Sequence, residues 1–444
     1  MNTPSLNAPS RRDLFRAGGL AAAALTLSAC GWGRTEPSGT GTGTGAARPG
    51  LKVWDQFTTS PQNEAVKKIY DRFQGASITR SAQTGDQLTT VGKTALASGT
   101  GPDVIYYQVG AGNAGVLAEA GLLRPLDDVA AKYGWLDRLT PFAIREASLD
   151  GKLYGLPNES ENTVLFYNKT LIEKAGLTVP ETFEELLTFA AAATKKGFTP
   201  IAYGQSDVYP SWWAFSMMAG NLAGAQPMGD LIFDNKGSWN TPQLVEAIQL
   251  FFVDLVKAGG FIKDLNSLGG PDAQSLFLAG KALMNLNGTW AVGTIEKDMP
   301  GQEIGIMAMP SVNGSPRVYP GGIGSAYYIS AKSANADLAA EFLDSLYQPE
   351  AVKFWVQEGK IFPPVPFDSA GFTLTPLQEL AMGVAQNGGG DATANIGYAV
   401  NHGLASPAFL KAMTSGFQAV VAGDKTPAKQ AEELQKAWEA GLTS

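Results

Sequence analysis

The apolar positions between Leu51 and Tyr107 change period along the chain, and the changes mark out elements. Leu51 to Phe57 reads as a strand. Val66, Ile69, Tyr70 and Phe73 then stand at i, i+3, i+4 and i+7, one face of a helix. A second strand is expected near Ser77 to Ala82, followed by a helix that ends around Ser98-Gly99. After the Gly101-Pro102 break, Asp103 to Tyr107 reads as a third strand. Strands alternating with helices at this spacing predict parallel βαβ units and an α/β fold. Ligands of such sheets sit beyond the carboxyl ends of the strands, which singles out Gln56, Phe57, Thr58 and Tyr107-Gln108.

The pattern is interrupted most sharply between Asp150 and Lys169. A turn at Asp150-Gly151 leads into a strand ending at Leu156-Pro157. A polar, acidic cluster follows (Asn158, Glu159, Ser160, Glu161, Asn162), and then an apolar strand from Thr163 to Tyr167. Burying such a cluster without partners is costly, so its presence between two apolar runs implies that it faces a cleft. Helical patterns resume beyond it. Thr182 and Glu185 form a capping box ahead of Phe183, Leu186, Leu187 and Ala190, with Gly197 closing the helix. Thr241-Pro242 opens a helix carrying Leu244, Ile248, Phe251, Phe252 and Leu255 up to Gly259-Gly260. Asp272 is expected to cap a short helix stopped by Gly280. Thr426-Pro427 opens the last one, with Ala431, Leu434 and Trp438 inward. No internal repeat is visible. Trp212 and Trp213 follow Pro210-Ser211 in what reads as a loop. One is expected to be buried by Phe215 and Met217, the other to wall a cleft.

Composition narrows the function classes. With 444 residues, 44% of them hydrophobic, the chain can hold two or more domains with real cores. A net charge of −8 argues against nucleic acid, whose phosphates call for a basic face. Mean hydropathy of −0.04 speaks against a multispanning membrane protein. Nine tryptophans and 13 tyrosines suit a surface that grips a ringed ligand.

The first thirty residues read as a targeting segment. Ser10-Arg11-Arg12-Asp13-Leu14-Phe15-Arg16 resembles the twin-arginine export motif. Ala17 to Leu27 has the length of a signal h-region and is too short to span a bilayer. Leu27-Ser28-Ala29-Cys30-Gly31 resembles a lipobox, with Cys30 the acylated residue. Cys30 is the sole cysteine and His402 the sole histidine, so neither a disulfide nor a metal site is expected, and no cofactor. Gly31 to Gly50 is nearly devoid of apolar residues and reads as a flexible tether reaching on the order of 25 Å. Together these predict a lipid-anchored body on the extracytoplasmic face of the cell membrane.

Four stretches, in order, carry a resemblance. Asp150-Gly151-Lys152 with Tyr154-Gly155 and Pro157, then Tyr167-Asn168-Lys169, is one. Gly101-Pro102-Asp103-Val104 followed by Gly121 to Asp127 is the second. Phe277 to Met284 with Asn287-Gly288-Thr289-Trp290 is the third. Gly321 to Gly324 leading to Tyr328-Ile329-Ser330 and Ala339 to Leu343 is the fourth. The set resembles the extracellular solute-binding proteins of ABC sugar importers, the maltose-binding-protein-like family, across roughly residues 51 to 350. The resemblance implies a two-lobed, hinge-bending periplasmic-binding-protein-like fold of type II. Lobe one would hold residues 51–157 and 318–366, and lobe two 158–317 and 367–444. It also implies a monomer that closes on a mono- or oligosaccharide and presents it to an ABC transporter permease.

On that resemblance Trp290 stacks on a sugar ring, Tyr107 makes an aromatic or polar contact, and Glu159 or Glu161 accepts from sugar hydroxyls. Gly322 either passes its backbone near the ligand or serves the chain crossing. Tyr398, with His402 near it, is a further candidate ligand contact, in the C-terminal part where the match fades. Two other function classes stay open. One is a binder of another solute (a polyamine, a peptide or a phosphate ester). The other is a glycosidase with a carboxylate pair, although HExxH, GxSxG and P-loop patterns are missing.

Overall fold

The computed structural model describes residues 48–387, 395–397 and 405–442. The export motif, Cys30, nearly all of the tether, Tyr398 and His402 lie outside them. The tether expectation overshoots by a few residues. Gly50 already belongs to β1, because the Pro49 carbonyl accepts from the Ser77 N–H and starts the first parallel pair.

Among the described residues twelve strands are formed: β1 (Gly50–Asp55), β2 (Ser77–Ala82), β3 (Val104–Gln108), β4 (Ser148–Leu149), β5 (Lys152–Leu153), β6 (Gly155–Pro157), β7 (Ser160–Asn168), β8 (Thr199–Ala202), β9 (Ala282–Gly288), β10 (Ile304–Met307), β11 (Gly321–Ile323) and β12 (Ser325–Ile329). The first sheet has the order β2-β1-β3-β12-β6. Its β1–β2 and β1–β3 pairs are parallel, as the βαβ pattern predicts, and β12 is antiparallel to both β3 and β6. The second sheet has the order β10-β7-β9-β8, with β11 added alongside β7. Each sheet has its own apolar core, one around Tyr106, Tyr327 and Trp135, the other around Phe215, Phe251 and Trp239. A third cluster joins Val352, Val356 and Phe362 to Val164, Phe166, Val292 and Ile295.

The chain passes between the sheets at adjacent places. Outbound it runs from β6 to β7 through Asn158-Glu159; inbound it runs from β11 to β12 through Gly324. The two passages lie antiparallel, with Ser160 opposite Ile323, Glu161 opposite Gly322 and Asn162 opposite Gly321. The Asn158 N–H donates to the Ser325 carbonyl, and the Ser160 N–H to the carbonyl of Phe362 on a third segment.

Local signals account for most helices. Thr182 caps Phe183–Lys195 with the reciprocal Glu185 bond. The helix opened by Thr241-Pro242 passes through a π-turn at Leu250–Asp254. That extra residue per turn lets the neighbours Phe251 and Phe252 both point inward. Two expectations are corrected. Asp272 lies in the first turn of Gly270–Leu278 rather than at its cap; the Asp207 carboxylate accepts from the Gly270 N–H and starts the helix earlier. Trp212 and Trp213 are helical, within Val208–Ala223. Pro210 falls in the first turn, where a backbone N–H has no intrahelical partner to lose.

Beneath the first strand end lies a buried ion pair. Arg80 donates from Nε and Nη2 to the two oxygens of Asp55 at 2.6 and 2.7 Å, and also to the Phe57 carbonyl and the Asn63 side chain. The Phe57 N–H donates to Asp55 as well. This network fixes the Gln56-Phe57-Thr58 turn. Replacing Arg80 with Leu leaves a fully buried carboxylate without its cation and should cost about 3–5 kcal/mol of unfolding free energy. The measurement is a lowered urea midpoint at unchanged slope; an unshifted midpoint would contradict the assignment.

Candidate functional site

The two chain passages open onto a cleft of about 530 Å³, lined from both sheets. On the side of the first sheet are the turn after β1 (Gln56, Phe57, Thr58), Gln62 and Gly85 at the starts of two helices, the cap residue Thr84, and Gln108 at the end of β3. The crossing contributes Glu159, Glu161, Ile323 and Gly324. Tyr209, Trp213, Trp290, Asn395 and Gly397 complete it. Gln56, Phe57, Thr58, Glu159, Glu161, Trp213 and Trp290, all singled out in the sequence, thus line one cleft together.

Tyr107 stands elsewhere, and the reason is side-chain alternation. In β3 neighbouring side chains point to opposite faces. Tyr107 lies buried against Gly92 of the helix Gly85–Ser98, and Gln108 is the residue that reaches the cleft. Gly322 is paired with Glu161 in the crossing ladder, while its neighbours Ile323 and Gly324 line the cleft. Trp212 and Trp213 differ by about 100° around their helix. Trp212 enters the core at 3% exposure and Trp213 faces the cleft.

One wall is aromatic. Tyr209 and Trp213, one helical turn apart, stand with ring centroids 6.4 Å apart at 28°. The rings of Trp213 and Trp290 are 5.1 Å apart at 54°. Trp290 leaves β9 through the short turn Thr289–Ala291 and folds back over Gly288, where an added β-carbon would come 2.1 Å from its ring. Gly288 is thus required for the close approach.

The floor is acidic. Glu159 is 3% exposed, and its Oε1 is buried without a hydrogen-bond partner. Glu161 is half-buried, its carboxylate pressed against Gly324, where a β-carbon would fall 2.3 Å from both oxygens. No ion pair to either glutamate occurs among the described residues. Burial, together with the charge of Glu161, pushes Glu159 well above the usual carboxylate range. Burial raises Glu161 from 4.5 to about 7. Among the described residues no group of three or more His, Cys, Asp or Glu could hold a metal ion. No helix among them is long and apolar enough to cross a membrane.

Sequence reading missed Gln62, Thr84, Gly85, Tyr209, Ile323, Gly324, Asn395 and Gly397. Thr84 carries a signal of its own, since it caps the helix Gly85–Ser98 in a box with Gln87 at the mouth of the cleft. Asn395 and Gly397 had none. They reach the site because the Ile396 N–H donates to Ser216 Oγ on the tryptophan-bearing helix.

Residues 58–353 match the model of the bacterial extracellular solute-binding protein family, and the chain belongs to that family. It is 28% identical over 270 residues to the maltotriose-binding protein of Pyrococcus abyssi, covering 59% of this chain and 54% of that protein. It is 32% identical over 282 residues to the galactooligosaccharide-binding protein of Bacillus subtilis, covering 60% and 61%. The matches thus span a little over half the length of these relatives. Among solved structures it resembles one concerned with xylan utilization by the thermophilic bacterium Caldanaerobius polysaccharolyticus. That likeness has a TM-score of 0.72 and 25% identity over 87% of this chain and 99% of the other. A chitin oligosaccharide binding protein aligns with a TM-score of 0.71 and 22% identity over 89% and 100%. The fold is the two-lobed α/β fold of periplasmic binding proteins.

The glutamate pair has a pH signature. A carboxyl whose folded pKa lies above its unfolded value holds more protons folded than unfolded between the two. Stability therefore falls as pH rises through that window. For Glu161 the window runs from 4.5 to about 7. Glu161→Gln should leave ligand-free stability near wild type below the window and raise it above wild type beyond it. Urea unfolding of both proteins across this range checks the prediction; a difference that does not grow with pH would contradict it.

Proposed function

We propose that this protein is the substrate-binding lipoprotein of an ABC importer, anchored through Cys30, and that it captures a mono- or oligosaccharide in the cleft and delivers it to a membrane permease. The observation that carries this reading is the joining of an aromatic wall to an acidic, hydrogen-bonding floor in one cleft. Sugar rings offer C–H faces to aromatic planes, and their hydroxyls offer donors to carboxylates. The sugar-binding relatives point the same way.

On this reading the lobes follow residues 51–157 with 318–366 and 158–317 with 367–444, and the crossing strands act as the hinge. A ligand that touches both walls favours the closed form through its differential affinity, and the permease reads that form. The protein binds and does no chemistry.

The experiment is a panel of mono- and oligosaccharides screened by thermal shift and tryptophan fluorescence, with the sugars recovered and analysed afterwards. Saturable quenching with unchanged sugars supports the reading; hydrolysis products would replace it with a glycosidase. Trp290→Ala should weaken binding at least about 30-fold, the loss expected of a central aromatic anchor, with the ligand-free melting temperature within a few degrees of wild type. Wild-type affinity in that variant would remove Trp290 as the stacking platform.

A further inference from the structure

We propose that the ligand for which this cleft is built carries a positive charge: an amino sugar, or an oligosaccharide with a free amine, whose ammonium rests on Glu159 and Glu161. The proposal rests on the sugar reading above and narrows its substrate class.

The charge census of the cleft is one-sided. Its lining residues include two carboxylates and, among the described residues, no Lys, Arg or His. The stretches flanking Asn395 to Gly397 add no Lys or Arg by sequence; residues 388–394 and 398–404 hold only Asp391 and His402 as ionisable groups besides Tyr398. Nearby cations are already engaged. Arg80 is held by Asp55, Asn63 and Phe57, and Lys360 by Glu296 and the Gln357 carbonyl. Tyr106 of β3, buried beside the pair, brings a hydroxyl and no positive charge.

A neutral sugar answers only half of this arrangement. Its hydroxyls donate to the carboxylates but bring no charge, so at least one of two adjacent carboxyls removed from water is better kept protonated. An ammonium supplies three donors and the missing countercharge at once, and charge-assisted bonds of this kind are the strong ones. One of them can end on the buried Glu159 Oε1, which has no partner in the protein. The opposite wall fits the same ligand. Trp213, Trp290 and the half-exposed Tyr209 present aromatic faces, which attract cations as well as sugar C–H groups. The net charge of −8 also draws a cationic solute toward the protein.

The test compares sugars that differ in one substituent. Glucose, cellotriose, maltotriose and every neutral sugar that binds in the panel are titrated calorimetrically into the full chain. Each is paired with its 2-amino-2-deoxy counterpart and with the N-acetylated form. The amine form should bind at least about tenfold tighter than its neutral partner near neutral pH at about 50 mM salt, and the advantage should shrink at about 500 mM salt. The Glu159→Gln/Glu161→Gln double variant, checked for a native melt, should lose the preference. Should that variant not fold, the salt dependence and the acetylated controls decide alone. Neutral sugars that bind as tightly as their amines, or tighter, overturn the charge inference and leave the sugar reading intact. If no sugar of any charge binds, both fall.

Discussion

The structure depends on a short ladder of backbone hydrogen bonds where the chain leaves one sheet and later returns from the other. Glu161 opposite Gly322, the Asn158 N–H on Ser325 and the Ser160 N–H on Phe362 hold the two passages and a third segment side by side. This ladder ties the two sheets together, and it does so with polar residues. Continuing the backbone hydrogen bonding through the crossing keeps those buried amides satisfied. The side chains of Asn158, Glu159 and Glu161 are then left to the cleft and its underside.

That placement is expensive for the ligand-free protein. Asn158 and Glu159 carry buried atoms without partners, and the glutamates are raised toward their protonated forms by burial. Such costs concentrate where a site is prepared for something not yet bound. The surrounding packing holds the cost in place. Gly324 admits the Glu161 carboxylate against the backbone, and Gly288 admits the Trp290 ring. The Asp55–Arg80 pair fixes the turn that brings Gln56 and Thr58 to the opposite rim.

Much of this was legible beforehand, for reasons that differ by element. β2 begins and ends where the pattern placed it, and the Thr182–Glu185 cap is formed as read. Caps and strand patterns are local, so the sequence that codes them is contiguous. The open points share a different cause. Tyr107, expected at the ligand, sits beside Gln108, which does line the cleft, and the sequence left undecided both the role of Gly322 and which of Trp212 and Trp213 would face it. The right elements were found, but which neighbour turns to the ligand depends on strand register and helix rotation, and both are set by packing partners far away in sequence. Pro210 and Asp272 misled for a local reason: a proline in a first turn and an acid inside one look the same, in sequence, as a loop and a cap.

The alternation of strands and helices, the acidic interruption between two apolar runs and the family motifs could all be read from the chain alone. Each of these is written in adjacent residues or in short motifs in order. That Glu159 and Glu161 share one cleft with Trp213 and Trp290, and that Asn395 and Gly397 close its edge, follows from the folded arrangement. Those residues span more than two hundred positions, and what joins them is the return of the chain through the crossing ladder, a non-local pairing that no local pattern encodes.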